Sequence, residues 1–225
     1  MPVRKQLLVT GEIYHVYNRG IDRRPTFTTK SEFSRAHEAI WFYSLSFTTP
    51  SLSKYLAYDR EQRTRFQTQL NSFPQHVEIF AYCLMDNHFH ILLRQTRDHG
   101  ISKYIGDFQN SYTRYHNLRH DRQGPLFLPQ FKAKRIETEE QLMHVSRYIH
   151  LNPYTAYLTK DIKQLATYPW SSLISYIDPA KSQPFVNTKP ILSLFKNNQE
   201  YHNFVRNQAD YQRQLHQITH LMLEE

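Results

Sequence analysis

Glu78-Ile79-Phe80-Ala81-Tyr82-Cys83-Leu84-Met85-Asp86-Asn87-His88-Phe89-His90-Ile91-Leu92-Leu93 is the stretch whose reading decides the fold. Aromatic and β-branched residues fill it on both sides of Met85-Asp86-Asn87, a short turn signal. Residues 75–83 and 87–95 are therefore expected to be two strands joined there. On a strand, residues two apart share a face. His88 and His90 then point one way and Phe89 points into the opposite layer. Two imidazoles side by side on a rigid strand form a metal half-site that needs at least one further ligand.

Working outward, residues 12–18 are aromatic and β-branched and close on Asn18-Arg19-Gly20, so they predict a first strand. Ser31 to Leu45 predicts a helix capped by Ser31, with Phe33, Ala36, Ile40 and Tyr43 at helical spacing. A short helix is expected near 59–70. Ile101, Tyr104, Ile105, Phe108, Tyr112 and Tyr115 form the apolar stripe of a helix to about Leu118. Gly106 inside it costs roughly 1 kcal/mol relative to alanine. Phe131 to Ile136 alternates apolar and basic residues as a further strand. Thr138 then starts a helix, with Gln141 at the capping-box position, and Pro153 is expected to end it. Strand, helix, two strands, helix, strand, helix predicts an α+β sandwich with helices on an antiparallel sheet. Residues 178–190 have linker composition and 199–224 look helical. The expected division is a catalytic domain over 1–178 and a linker with helical extension over 179–225.

The chain has 225 residues, a formal charge of +8, 16 Tyr and 14 Phe. Length and charge predict one substantial domain with a polyanionic partner. Basic and aromatic residues together suit single-stranded nucleic acid, although they do not distinguish DNA from RNA. The single cysteine, Cys83, excludes an internal disulfide and a thiolate metal cluster. No apolar run reaches the ~18–20 residues of a membrane span, and no signal-peptide core follows Met1-Pro2-Val3-Arg4-Lys5. The expected compartment is the cytoplasm, with no membrane partner. There is no Gly-x-x-x-x-Gly-Lys phosphate loop.

A second cluster is Ser146-Arg147-Tyr148-Ile149-His150-Leu151-Asn152-Pro153. On a helix Tyr148 and Asn152 are i and i+4, one above the other. Leu142, Val145 and Ile149 define the buried stripe. Tyr148 and Asn152 fall beside it, at an edge where a side chain can be anchored and still reach a substrate. His150 is expected on the surface, and the pattern does not settle which face His15 takes.

The ordered pairing of Met85-Asp86-Asn87-His88-Phe89-His90 with the later Arg147-Tyr148-Ile149-His150-Leu151-Asn152-Pro153 resembles the single-tyrosine HUH transposases. The REP-associated tyrosine transposases are the best match. Tyr14-His15-Val16-Tyr17-Asn18-Arg19-Gly20, Ser111-Tyr112-Thr113-Arg114-Tyr115-His116-Asn117, Gly124-Pro125-Leu126-Phe127 and Trp170-Ser171-Ser172 extend the resemblance over roughly 8–178.

That resemblance implies a ferredoxin-like α+β domain that nicks single-stranded DNA near hairpins and transfers the strand, as a monomer or homodimer. It implies Tyr148 as nucleophile, forming a 5′-phosphotyrosine, and His88, His90 and Asn152 as ligands of Mg²⁺ or Mn²⁺. The competing assignments are a packing role for Tyr148, Tyr112 or Tyr115 as nucleophile, and zinc as the metal. Zinc lacks a third His, Cys or carboxylate at an obvious spacing. Arg114, Arg119, Arg122, Lys132, Lys134, Arg135 and Arg147 gather around the expected site in sequence and are candidate DNA-phosphate contacts. Arg19 and Arg23, grouped with Arg4, Lys5 and Arg24, are candidates for contacting a hairpin or its flank. The alternative function is a non-cutting binder of structured DNA, or of RNA, derived from the same fold.

Overall fold

The first strand, β1 (Ile13–Arg19), buries Tyr14 and Val16 fully and leaves Tyr17 exposed. The computed structural model describes residues 7–46, 50–69 and 73–210. After β1 come α1 (Lys30–Ser44), α2 (Leu52–Leu56), α3 (Arg60–Gln69), β2 (Val77–Leu84) and β3 (His88–Gln95). Then follow α4 (Gly100–Arg119), β4 (Lys132–Ile136), α5 (Glu139–Thr155), α6 (Leu173–Ile177), α7 (Lys189–Leu192) and α8 (Asn198–Arg206). The sheet order is β2-β3-β1-β4 and every pair is antiparallel. With α1 and α4 as its two crossings, this is the ferredoxin-like β-α-β-β-α-β arrangement. Much of the helix expected over 199–224 lies outside the described residues. Among the described residues no helix is long and apolar enough to cross a membrane.

The two sheet faces have different jobs. Phe89 is fully buried against Phe108 of α4 and Phe127, with ring centroids 5.0 and 5.8 Å away. Tyr104 of α4 donates its hydroxyl to the Ile40 carbonyl of α1 at 3.1 Å. Helices α1 and α4 therefore cover the Phe89 face, and the His90 face is left to α5.

The cap of α1 is Thr29, two residues before the expected Ser31. Thr29 Oγ1 accepts from the Glu32 amide at 3.3 Å, and the Glu32 carboxylate accepts from the Thr29 amide at 3.0 Å. Only Thr29 has a glutamate at the third helical position, so it wins over Ser31 because it satisfies two orphan N–H groups at once.

Helix α5 is capped by Thr138 as expected, its hydroxyl accepting from the Gln141 amide at 3.1 Å. Pro153 does not end it. The helix runs through Pro153 to Thr155, and the Ala156 amide still reaches the Asn152 carbonyl at 2.9 Å. Burial overrides the local preference. From Ser146 to Thr155 every residue but Tyr148 is buried, because α5 lies between the sheet and a layer made by α6 to α8. Packing on both sides holds the last turn helical despite the ring.

That outer layer also places His150 in the interior instead of on the surface. Its Nδ1 meets the Tyr201 hydroxyl of α8 at 2.6 Å and its Nε2 meets Ser172 Oγ at 2.8 Å. Burial pushes the His150 pKa down from 6.5 to about 3. The unfolded chain therefore binds a proton at this residue well before the folded one does. Its contribution to stability is complete above pH 6.5 and is lost as pH falls toward about 3. The urea midpoint should drop between pH 7 and pH 4.5, and the drop should be smaller in His150→Gln. Equal drops in both proteins would show that His150 is not part of the acid response.

Candidate active site

Register builds the site. Tyr17 lies opposite His90, Arg19 opposite His88, and His15 opposite Leu92 in the β1–β3 pair. In the β1–β4 pair His15 faces Lys134 and Tyr17 faces Lys132. Cross-strand partners share a face, so His15, Tyr17, Arg19, His88, His90, Lys132 and Lys134 all project from the side that α5 covers. The His88 and His90 rings are 5.0 Å apart between centroids, and His88 Nδ1 meets Asn87 Oδ1 at 2.6 Å.

The sequence pattern left His15 unassigned, and its position here is central. Its Nε2 lies 2.9 Å from His90 Nδ1, with the rings stacked at 5.0 Å. Burial, helped by the positive charge of Lys134, pushes the His15 pKa down to about 4. Burial, then the neighbouring His15 and His88, keeps His90 well below its ordinary value. Both imidazoles are thus neutral at physiological pH, the form a metal requires. Tyr17 completes the wall, with its ring 5.5 Å from His90. Once Tyr14 and Val16 are given to the core, strand alternation alone puts His15 and Tyr17 on the histidine face.

Tyr148 of α5 enters the same space. Its ring centroid is 5.4 Å from His90 and 6.0 Å from His15, edge-on to both. It remains 39% exposed, and it is the exposed residue of the otherwise buried 146–155 segment. Asn152 is buried, and its Nδ2 donates to the Tyr148 carbonyl at 2.8 Å. Burial raises the Tyr148 phenol above 10, and a hydrogen bond with the Asn152 side chain pulls it back down. The rival tyrosines lie in the other layer. Tyr112 is buried and donates to the Thr26 carbonyl at 2.7 Å, while Arg35 sits over the Tyr115 ring.

The basic candidates divide by location. Arg19, Lys132 and Lys134 are exposed on the histidine face, and Arg23 and Arg114 are exposed elsewhere. Arg122 is tied to Asn117 Oδ1 at 2.7 Å, Arg135 to Glu12 at 2.7 Å, and Arg119 lies 3.8 Å from Glu32. Arg147 departs from the expectation of a phosphate contact. It is buried, its guanidinium lies 4.3 Å from the Phe204 ring centroid, and its Nη2 meets His144 Nδ1 at 2.6 Å. The α8 layer claims it, which no pattern local to 146–153 could have shown.

The family model described as transposase IS200 like matches residues 43–152. The match contains His88, His90, Tyr148 and Asn152, whereas β1 with His15 and Tyr17 lies before it. The fold is that of a solved structure described as a REP-associated tyrosine transposase bound to a REP hairpin. The two align with a TM-score of 0.54 at 15% identity, over 80% of this chain and 87% of that one. No curated protein matches the sequence.

With a half-exposed ring, Tyr148 can lose its hydroxyl without loss of the fold. Tyr148→Phe should change unfolding free energy by less than about 1 kcal/mol, measured by urea denaturation. A larger loss would mean that the hydroxyl holds the helix in place.

Proposed function

We propose that the chain is a divalent-metal-dependent endonuclease and strand transferase for single-stranded DNA, acting in the cytoplasm at hairpin-forming sequences. The carrying observation is the convergence of Tyr148, from the sheet-facing edge of a buried helix, on His90 and its partner His15. A part-exposed tyrosine held beside paired imidazoles, in a chain that matches a transposase family model, suits phosphodiester attack better than packing.

In this reading Tyr148 Oη attacks the scissile phosphorus and the P–O3′ bond breaks. The phenolic proton passes to solvent or a nearby base, and the departing 3′ oxygen takes up a proton. The DNA 5′-phosphate stays on Tyr148, so its bond energy is kept for rejoining to another 3′-hydroxyl and no nucleotide triphosphate is needed. A phenol with a raised pKa is a weak nucleophile, so the site needs help in offsetting the charge that develops.

His88, His90 and Asn152 would hold Mg²⁺ or Mn²⁺. Two neutral imidazoles and one amide leave positions for phosphate oxygens and water. A hydrogen bond from His90 Nδ1 to His15 would leave the lone pair on Nε2, the usual way an outer partner fixes a ligand tautomer. The ion would polarise the phosphate. Arg19, Lys132 and Lys134 would position the backbone without reading bases, and Arg23 and Arg114 would extend that contact. Tyr148 meets the histidines within one chain, which supports cleavage by a monomer over a dimer that shares its sites. Residues 1–178 would act as the catalytic unit, with Tyr201 and Phe204 beyond it bracing α5.

The test is a denaturing gel after mixing the protein with labelled hairpin oligonucleotides drawn from DNA flanking its gene, with Mn²⁺ or Mg²⁺. A labelled band at protein mass should appear, and should vanish in Tyr148→Phe and with chelator. An adduct surviving in Tyr148→Phe would refute the nucleophile, and tight binding without any adduct would favour a non-cutting binder. Lys132→Ala and Lys134→Ala should each weaken binding across sequences and lower the salt slope by about 1. An unchanged slope would place the DNA elsewhere.

A further inference from the structure

On the sheet face opposite Tyr148, the N-terminus of α1 and the C-terminus of α4 enclose a second group of metal-ligating side chains. Glu32, His116 and His120 each offer one ligand atom, and these atoms lie within 4.8 Å of one another. His116 and His120 are i and i+4 and stack at 4.3 Å between centroids. The Glu32 carboxylate is fixed in place. Its Oε2 accepts from the Thr28 amide, the Thr28 hydroxyl and the Thr29 amide at 2.7–3.0 Å, and its Oε1 meets His120 Nε2 at 2.5 Å. Burial works to raise the Glu32 pKa, but these hydrogen bonds outweigh it and hold the group at about 2.

The observation that points to a ligand is His116. It is 6% exposed, and its Nδ1 is buried without a hydrogen-bond partner. A buried ring nitrogen left unsatisfied forfeits its hydration without compensation and calls for a reason. His120 is 40% exposed at the side chain and gives an entry path from solvent. Arg119 Nε stands 3.8 Å from the same Glu32 oxygen, but its side chain is 48% exposed and free to turn outward.

We propose that Glu32, His116 and His120 bind a first-row transition metal, with Zn²⁺ the best match, at a site separate from the one beside Tyr148. Two imidazoles and one carboxylate form a three-residue zinc set, with water completing the tetrahedron. The same imidazole-rich set is a poor match for Mg²⁺ or Ca²⁺, which take oxygen ligands. Binding exchanges the His120–Glu32 hydrogen bond for two metal bonds and releases any proton held between them.

The bound ion would clamp α1 to α4. It would thereby brace the segment from Gly20 to Thr29, whose Thr26 and Phe27 amides hold the Asp86 carbonyl at 2.7 and 2.8 Å. The Gly20 amide holds the Asn87 carbonyl at 2.8 Å, one residue before His88. A metal on one face would steady the backbone that carries the histidine pair on the other.

The experiment uses tag-free, full-length His88→Ala/His90→Ala protein stripped with chelator and titrated with Co²⁺, read by visible absorption. A saturable ligand-field band at one equivalent, displaced by Zn²⁺, is the expected result. His116→Gln or His120→Asn in that background should weaken Co²⁺ binding by more than about tenfold, the least that even an outer-shell loss costs. If the double variant fails to fold, the wild-type protein should show two Co²⁺ sites, of which His120→Asn removes one. The proposal falls if the histidine-depleted protein shows no stoichiometric band, or if the band persists unchanged in both variants. Either result leaves the phosphotyrosine assay at Tyr148 unaffected.

Discussion

The antiparallel register of β1 on β3 is the constraint from which the site follows. With Tyr17 opposite His90, one face of β1 delivers Tyr14 and Val16 to the α1–α4 core and the other delivers His15 and Tyr17 to the histidine face. A slip of one residue would exchange the two sets, burying a histidine in the aromatic core and exposing two apolar residues. The full burial of Tyr14 and Val16 works against that slip.

The strands could be read from the sequence because each one's chemistry is local. Val77–Leu84 and His88–Gln95 are apolar enough, and close enough to a turn, that no distant partner is needed to predict them. The same locality made Phe89 and His90 legible as residues of opposite layers. Tyr148 and Asn152 were legible as helical neighbours, and the edge position foreseen for Tyr148 agrees with its exposure. Their roles came from family resemblance, which the geometry makes chemically sensible.

What stayed hidden depends on contacts across long sequence separations. Nothing within 146–153 announces Tyr201, 51 residues on, as the cover of His150, so the local pattern points that ring to solvent. Phe204 is the similarly distant partner of Arg147, whose local sequence points to DNA. Pro153 would stop α5 if the helix stood in water. Between two packed layers, the cost of the ring is smaller than the cost of uncovering the residues on either side. The Glu32, His116 and His120 grouping joins two helices whose crossing no periodicity reveals.

The sheet's two ends also differ in how they deal with their unpaired strands. Beyond β2, Val186 bridges to Ile79 and Ser171 to Cys83, so later chain covers that margin. The margin at β4 carries Lys132, Lys134 and Arg135 within five residues. A row of cations on an outer strand resists pairing with the same strand of another molecule, since like charges would be brought face to face. The lysines that suit a DNA backbone thus also guard the protein against edge-to-edge aggregation. Neutralising them to probe DNA contact would remove that protection at the same time.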